Sequence, residues 1–254
     1  MRFLSTIFAT FCIALGAAQA TQLQIGLSNE SVAITSSFDG DSVVVFGSIE
    51  GGDPEALTLA QYDLVVALVG PDADIVVRRK QRRAGIWMNG ASLPFIRVPS
   101  FYSMASNRKL IEIAEPPVLS KNRIGFEYLK FETGATLIAD SEIQTFRESL
   151  NRLKASQELS LKRTDGVKFL SPTLFRAKLS VPANVPIGRH TARVWLFKNG
   201  EVIAREAARL EVRKIGFEQF MYNLAYKNGL LYGIIAVLVA IFTGWLASVV
   251  FRKD

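Results

Sequence analysis

The chain reads HTARVWLFKNGEVIAREAARLEV over residues 190–212. Two long runs rich in apolar residues, 190–197 and 202–212, flank the turn sequence Lys198-Asn199-Gly200-Glu201. Asn-Gly between two such runs is a strong hairpin signal, because both central residues of a type I′ turn need a positive φ. The stretch therefore predicts two long antiparallel strands joined by a tight turn.

Further strands are predicted on the N-terminal side of this hairpin. Residues 175–181 alternate apolar and polar side chains, as do residues 21–28 and 32–38, and this is the period of a half-buried strand. Residues 42–49 and 62–69 are apolar at almost every position, which predicts central strands buried on both faces. Two groups of antiparallel strands predict a mainly β protein with an immunoglobulin-like β-sandwich.

The apolar period changes between the two β groups. Apolar residues at spacings of three and four predict an amphipathic helix: Ile143, Phe146, Leu150 and Leu153. Ser141 and Gln144 fit a capping box at its start. Residues 107–114 and 120–130 add two shorter helical pieces, so we expect a mainly helical insertion over about residues 100–160.

One transmembrane helix is predicted at residues 229–251. These 23 residues carry no charge, and as a helix they extend about 34 Å, enough to cross a hydrocarbon layer of about 30 Å. Tyr232 and Trp245 lie near the two ends, where amphipathic rings favour the membrane interface, and the basic pair Arg252-Lys253 follows directly. Residues 252–254 are therefore expected to be a cytoplasmic tail.

Residues 215–228 form a juxtamembrane segment between the sandwich and the predicted span. Apolar residues recur in it at helical spacing: Phe217, Phe220, Met221 and Leu224. They predict either an interfacial helix that runs into the span or a linker packed beneath the sandwich.

Residues 1–20 predict a signal peptide. Arg2 precedes an uncharged apolar stretch, and Ala18-Gln19-Ala20 has the small-x-small form of a signal peptidase site. The alternative is that this stretch stays as an anchor, although it is short for a span. Export followed by a positively charged tail predicts a periplasmic domain at residues 21–214 and a cytoplasmic C-terminus.

Composition narrows the classes of partner. The formal net charge is +7, which often indicates nucleic acid, but export disfavours that partner. Anionic lipid headgroups, a small anion or an acidic protein are expected instead. The sole cysteine, Cys12, lies in the predicted signal peptide, so we expect no disulfide and no thiolate chemistry in the mature chain.

Candidate catalytic and metal-binding residues are few. His190 is the one histidine in the chain, and no Ser-His pair or multi-histidine site is expected. Acids around predicted turns either bind calcium or stabilise the turns through bonds to their own backbone: Asp39, Asp41, Asp53, Asp72 and Asp74. We expect no catalytic residue, no metal and no cofactor, which makes an enzyme the least favoured class.

The densest charge feature is a basic run: Arg78, Arg79, Lys80, Arg82 and Arg83. Because both faces of a strand would be charged, the run must protrude from the domain. Together with Trp87 it is a candidate docking surface for an anion, a lipid headgroup or an acidic partner. The alternative is a solvated hairpin tip.

Small residues recur every four positions along the predicted span: Ala236, Ala240, Gly244 and Ser248. Such a stripe lets another helix approach closely in lipid, either from a polytopic membrane protein or from a second copy of the chain. The alternative is that the stripe reflects the ordinary abundance of small residues in spanning helices.

Several short segments carry a resemblance to a known family: Gly85-Ile86-Trp87-Met88-Asn89, Val98-Pro99-Ser100-Phe101-Tyr102, Val181-Pro182-Ala183-Asn184-Val185-Pro186-Ile187-Gly188, Leu231-Tyr232-Gly233 and Thr243-Gly244-Trp245. Together they resemble the uncharacterised alphaproteobacterial transmembrane protein family of the Alph_Pro_TM type, along nearly the whole mature chain. The resemblance implies a Gram-negative inner membrane, a periplasmic domain and an association with sulfite-exporter-type permeases. It implies no activity and no site residues.

These observations predict a non-enzymatic, single-pass inner-membrane protein. Its sandwich presents a surface in the periplasm, and its helix packs against a membrane partner such as a small-anion permease of the sulfite-exporter type. The alternative is a stand-alone periplasmic module that binds a ligand or organises the envelope.

Overall fold

The computed structural model describes residues 21–35, 38–52, 55, 57, 61–134, 138–216, 221 and 224–250. Six sequence predictions fall partly or wholly outside these residues. They are the signal peptide at 1–20, residues 36 and 37 of the strand predicted at 32–38, Asp53 of the acidic group, Phe217 and Phe220 of the juxtamembrane segment, Phe251 at the end of the predicted span, and the cytoplasmic tail at 252–254.

The described residues form strands, short helices and one long apolar helix. The strands are β1 (Gln22–Leu27), β2 (Ser31–Ile34), β3 (Gly40–Glu50), β4 (Tyr62–Val69), β5 (Asp72–Arg83), β6 (Ile86–Pro99), β7 (Tyr102–Ser106), β8 (Glu132–Thr133), β9 (Ser160–Arg163), β10 (Val167–Phe169), β11 (Leu174–Pro182), β12 (Gly188–Lys198) and β13 (Glu201–Lys214). The helices are α1 (Leu110–Ile113), α2 (Pro116–Asn122), α3 (Asp140–Ser156) and α4 (Gly229–Val250), with a 3₁₀ turn at Phe126–Tyr128.

Two sheets form the sandwich. The first has the strand order β1-β3-β11-β10, and the second has the order β2-β13-β12-β4-β7-β9. The main hydrophobic core lies between them, with Val45 and Phe175 from the first sheet and Leu64 and Val194 from the second. The predicted mainly β sandwich is confirmed, with one difference: β2 and β9, at the two edges of the second sheet, pair in parallel with their neighbours.

The Asn-Gly hairpin and the central strand β4 follow the sequence predictions. Asn199 and Gly200 have φ values of 53° and 82°, as a type I′ turn requires, and they join β12 to β13. All eight residues of β4 are buried. Its even-numbered residues, such as Leu64, face the main core, and its odd-numbered residues, such as Val65, face a second core on the other side of the sheet.

The prediction that residues 42–49 are buried on both faces is wrong. In β3, Val43, Val45 and Ile49 are buried, whereas Phe46 is 47% exposed. The reason is that β3 belongs to the first sheet, whose outer face is open to solvent at Phe46. Among the described residues, hydrophobic cores cover both faces of the second sheet but not of the first.

The second core packs the helices against the outer face of the second sheet. Trp195 and Phe197 of β12 belong to this core together with Leu119 of α2 and Phe146 and Leu150 of α3. Helices therefore occur within residues 100–160 as expected, but Tyr102–Ser106 is the strand β7 rather than part of a helical insertion. All five residues of β7 are buried, so this strand has no alternating pattern by which the sequence could reveal it.

The capping box predicted at Ser141 and Gln144 is also wrong. Helix α3 has Ala139 as its N-cap, without a side-chain cap hydrogen bond, and Gln144 donates a hydrogen bond to Glu148 within the helix. Asp140 and Glu142 lie in the first turn, where their negative charge stabilises the helix through its dipole.

A third sheet, β5-β6-β8, extends the second sheet beyond its end. The ladder between β4 and β7 continues through the hydrogen bonds of Gly70 N to Phe101 O and of Ser100 N to Pro71 O, both 2.8 Å. The β5–β6 hairpin thus prolongs two central strands of the sandwich.

The same end of the second sheet carries the exit toward α4. Val69, at the end of β4, pairs with Thr191 near the start of β12, and Gly188 of β12 pairs with Val212 near the end of β13. Strand β13 ends at Lys214. The projecting hairpin and the connection to α4 therefore leave the sheet at one end.

Helix α4 is the one helix among the described residues that is long and apolar enough to cross a membrane. Its span-like part is Gly229–Val249, and none of that part is buried against the rest of the described chain. The predicted C-terminal apolar helix is therefore present.

Candidate functional site

The β5–β6 hairpin projects from the domain as an exposed arm. Ala84 and Gly85 connect its strands with φ values of 49° and 82°, the geometry of a type I′ turn. Val77 and Leu93 form its outermost buried cross-strand pair. Every residue from 82 to 92 is exposed, so at about 3.4 Å per residue the arm extends roughly 20 Å beyond that pair.

The outer half of the hairpin is twisted, and the Gln81 side chain packs closely against the opposite strand at Gly90. The register shifts between Arg78 and Lys80, and such a bulge strengthens the local twist. A Cβ atom at Gly90 would lie 2.5 Å from Cδ of Gln81. Glycine at position 90 therefore lets the Gln81 side chain lie across the opposite strand.

The structure places all five residues of the basic run on β5 in this arm. Arg79 approaches Glu142 of α3 with 3.9 Å between Nη2 and Oε1, and its guanidinium lies 5.0 Å from the centre of the Phe146 ring. Within the described part of the chain, the other four cations have no ion pair: Arg78, Lys80, Arg82 and Arg83. No acidic residue occurs between Asp74 and Glu112, so the arm is strongly positive.

Three consecutive apolar residues form the other strand of the tip. Ile86, Trp87 and Met88 are 68%, 65% and 52% exposed, and they pair across the hairpin with Arg83, Arg82 and Gln81. Sequence reasoning named Trp87 but missed Ile86 and Met88. A run of three apolar residues after Ala84-Gly85 was the available signal, although their exposure follows only from the projection of the hairpin.

A second basic region lies at the base of the hairpin. A cavity of about 180 Å³ there is lined by four cations from separate parts of the chain: Arg97, Arg123, Lys130 and Arg193. Two acids, Asp72 and Glu132, share the lining, and Arg97 bonds Glu132. Arg123 and Arg193 also line a neighbouring cleft with Lys121 and Arg205. Sequence reasoning missed this region because its cations are far apart along the chain.

Tyr102 lies beneath this basic region. Its hydroxyl accepts a hydrogen bond of 2.9 Å from the backbone N–H of Gly125, and burial raises the pKa of its phenol well above the usual value. The phenol therefore stays protonated at any physiological pH. Guanidinium groups bind oxyanions through charge-assisted hydrogen bonds. The basic side chains that line the cavity above Tyr102 are therefore suited to binding an anion.

Lys154 of α3 fastens the base of the hairpin. Its ammonium donates a hydrogen bond of 2.7 Å to the carbonyl of Ser100, at the junction between β6 and β7. The side chain is buried, and burial lowers the pKa of the ammonium. With Arg79 bound to the other end of α3, the helix supports the inner half of the hairpin.

His190 is buried on the side of β12 that faces the main core. Its ring is fully buried and packs 5.8 Å from the ring of Phe101, and Nδ1 lies 3.2 Å from the carbonyl of Gly188. Burial lowers the pKa of the imidazole. Within the described residues, no group of three or more His, Cys, Asp or Glu side chains is placed to hold a metal ion.

The small residues predicted in the span share one side of α4. At 3.6 residues per turn, Gly229, Gly233 and Ala247 join the stripe of Ala236, Ala240, Gly244 and Ser248. A Cβ atom added at Gly233 or Gly244 would meet no heavy atom within 4 Å. The opposite side carries large residues: Leu231, Leu238, Phe242 and Trp245.

Comparison with known families identifies the chain. The family described as "Putative transmembrane protein (Alph_Pro_TM)" matches residues 22–253. The chain belongs to this family. Membership and the apolar helix α4 together make it a membrane protein with a β-rich domain and one candidate span. The resemblance in the short segments is thus confirmed over residues 22–253.

Individual known proteins show little similarity to the chain. None of the curated proteins matches the chain. One solved structure, the N-terminal domain of the Streptococcus gordonii adhesin Sgo0707, is similar over 75% of this chain and 32% of that one, with 8% identity and a TM-score of 0.26. The chain spans about a third of that structure, and the similarity carries no argument about function.

Proposed function

We propose that the protein is a non-enzymatic accessory subunit of a membrane complex. Helix α4 anchors it and packs against a membrane partner, while the sandwich presents its basic surfaces on the periplasmic side. The observation that carries this proposal is the division of α4 into one side of Gly, Ala and Ser and an opposite side of large apolar residues.

The division matters because lipid supplies no hydrophobic drive for helix association. Helices in a bilayer associate mainly through close packing, and small residues let two backbones approach. The hydroxyl of Thr243 needs no polar group from a partner, because it donates a hydrogen bond of 2.9 Å to the carbonyl of Val239 within α4. The small side of α4 is therefore suited to a neighbouring helix and its large side to lipid.

The orientation is part of the proposal. The sequence before Thr21 supports export of the domain, and Arg252 and Lys253 after the span support a cytoplasmic C-terminus by the positive-inside rule. The favoured partner is a polytopic small-anion permease of the sulfite-exporter type. Its support is the family resemblance and the basic lining of the cavity at the hairpin base.

Enlarging the small side of α4 tests the packing. We expect Ala240→Leu with Gly244→Leu to abolish recovery of the partner when the tagged full-length protein is purified from detergent-solubilised native membranes, because added side chains keep the helices apart. The matched control enlarges residues elsewhere on the helix, Val239→Leu with Val249→Leu. Equal recovery with both pairs of substitutions would contradict the proposal.

A stand-alone anion-binding module is the second candidate function, favoured by the cavity that Arg123 and Arg193 share with Arg97 and Lys130. In that case sulfite or sulfate should raise the melting temperature of the purified full-length protein. Arg123→Ala with Arg193→Ala should remove the shift, because the guanidinium groups that bind the oxyanion are gone. A shift that persists in this variant would place anion binding elsewhere.

A further inference from the structure

The tip of the β5–β6 hairpin combines two features that ordinary solvated turns do not need. One strand ends in Arg82 and Arg83, and the other begins with Ile86 and Trp87, both more than 60% exposed. The register places each arginine directly opposite one of these apolar side chains. Cations and an exposed tryptophan side by side suit the membrane interface, where anionic headgroups lie beside apolar chains.

Topology brings this tip toward the membrane that α4 crosses. The hairpin continues β4 and β7 past the end of the second sheet at which β13 leads out through Lys214. The 14 residues from 215 to 228 separate this end from α4, and even fully extended they span at most about 50 Å. The twelve residues of β5 alone extend roughly 40 Å. The hairpin therefore reaches the bilayer surface whenever the connection spans less than about 40 Å.

We propose that the tip, formed by Arg82, Arg83, Ile86, Trp87 and Met88, docks on the anionic phospholipid surface beside the protein's own transmembrane helix. The cations contact headgroup phosphates, and the apolar side chains enter the boundary between headgroups and acyl chains. Docking gives the domain a second attachment point and fixes its orientation relative to the bilayer. It does not depend on a protein partner for α4.

A fluorescent probe on the tip tests this directly. In the full-length protein with Cys12→Ala, a single cysteine at Asn89→Cys carries an environment-sensitive fluorophore and leaves the five docking residues intact. The control probe is Glu201→Cys, at the opposite end of the second sheet. Both proteins are reconstituted into vesicles of phosphatidylcholine alone or with phosphatidylglycerol, each containing lipids with a quencher near the headgroup.

We expect quenching of the probe at position 89 in the vesicles with phosphatidylglycerol, weaker quenching with phosphatidylcholine alone or at high salt, and none at position 201. Each cation should raise the ratio of docked to free tip by about fivefold. Arg82→Gln with Arg83→Gln should therefore lower this ratio by about 30-fold. The matched loss of two charges on the first sheet, Lys168→Gln with Arg176→Gln, should have no effect.

Three results would overturn the proposal. Absence of quenching at position 89 would show that the tip does not reach the bilayer, and equal quenching in neutral and anionic vesicles would remove the role of anionic lipid. Equal effects of the two double substitutions would assign the binding to overall charge instead of the tip. If the α4 experiment succeeds and the probe experiment fails, the accessory function keeps its support and membrane docking of the tip is ruled out.

Discussion

His190 shows how one buried residue couples the fold to pH. Burial lowers the pKa of its imidazole in the folded protein below the value of 6.5 that it has in the unfolded chain. As the pH falls below 6.5, the unfolded state therefore takes up the proton more readily. The stability associated with neutral His190 is complete above this pH and is lost progressively below it.

We therefore expect the free energy of unfolding to fall as the pH is lowered from about 6.5 to about 5.5, measured by chemical denaturation of the full-length protein in detergent. The control is His190→Gln, which keeps a polar side chain but does not titrate. The account of His190 is contradicted if both proteins have the same pH dependence over this range.

Residue patterns predicted some positions well and others not at all. Asn199-Gly200 predicted its turn because the required backbone conformation is local. A capping box is also a local feature, but the one predicted from Ser141 and Gln144 was wrong. Ala139 is the N-cap, and the helix starts at Asp140. The cavity that Arg123 and Arg193 share could not be predicted from the sequence, because only the folded chain brings them together.

At the scale of elements, the hairpin divides into a packed inner half and an exposed outer half. Leu93 is fully buried in the second core with Val77, whereas residues 82–92 are exposed. The inner half should therefore contribute to stability and the outer half should not.

Leu93→Ala should lower the free energy of unfolding by about 2–5 kcal/mol, because it leaves a cavity in a packed core. Replacement of residues 81–88 by Asn-Gly, which preserves a type I′ turn between Lys80 and Asn89, should change it by less than about 0.5 kcal/mol. Denaturation of both variants in urea measures the difference. A large loss on shortening the tip would show that the tip packs against the domain.

Element prediction succeeded where burial leaves a long apolar run or a periodic pattern in the sequence. The two-sided burial of β4 and the helical period of α3 appear directly in the sequence. Strand β3 was misread because a continuous apolar run does not reveal whether its outer face is covered, as the exposure of Phe46 shows. Strand β7 was missed because it is only five residues long and two of its buried residues are serine, so it leaves neither a long apolar run nor an alternating pattern.

At the scale of the whole molecule, the two ends of the second sheet differ in role. One end carries the Asn-Gly turn between β12 and β13, and the other carries both the projecting hairpin and the exit to α4. The sequence predicted a sandwich, a protruding basic run and an apolar C-terminal helix. It could not show that the last two leave the sandwich together, because that follows from strand pairing over long separations.

Co-purification shows whether α4 binds a specific membrane partner. The tagged full-length protein is purified from detergent-solubilised native membranes, beside a version whose residues 229–251 are replaced by an unrelated transmembrane helix of equal length, and the co-purified proteins are identified by mass spectrometry. We expect one polytopic membrane protein with the native helix and its loss after the exchange. Recovery of the same proteins with both helices, or of the protein alone with its native helix, would contradict the account.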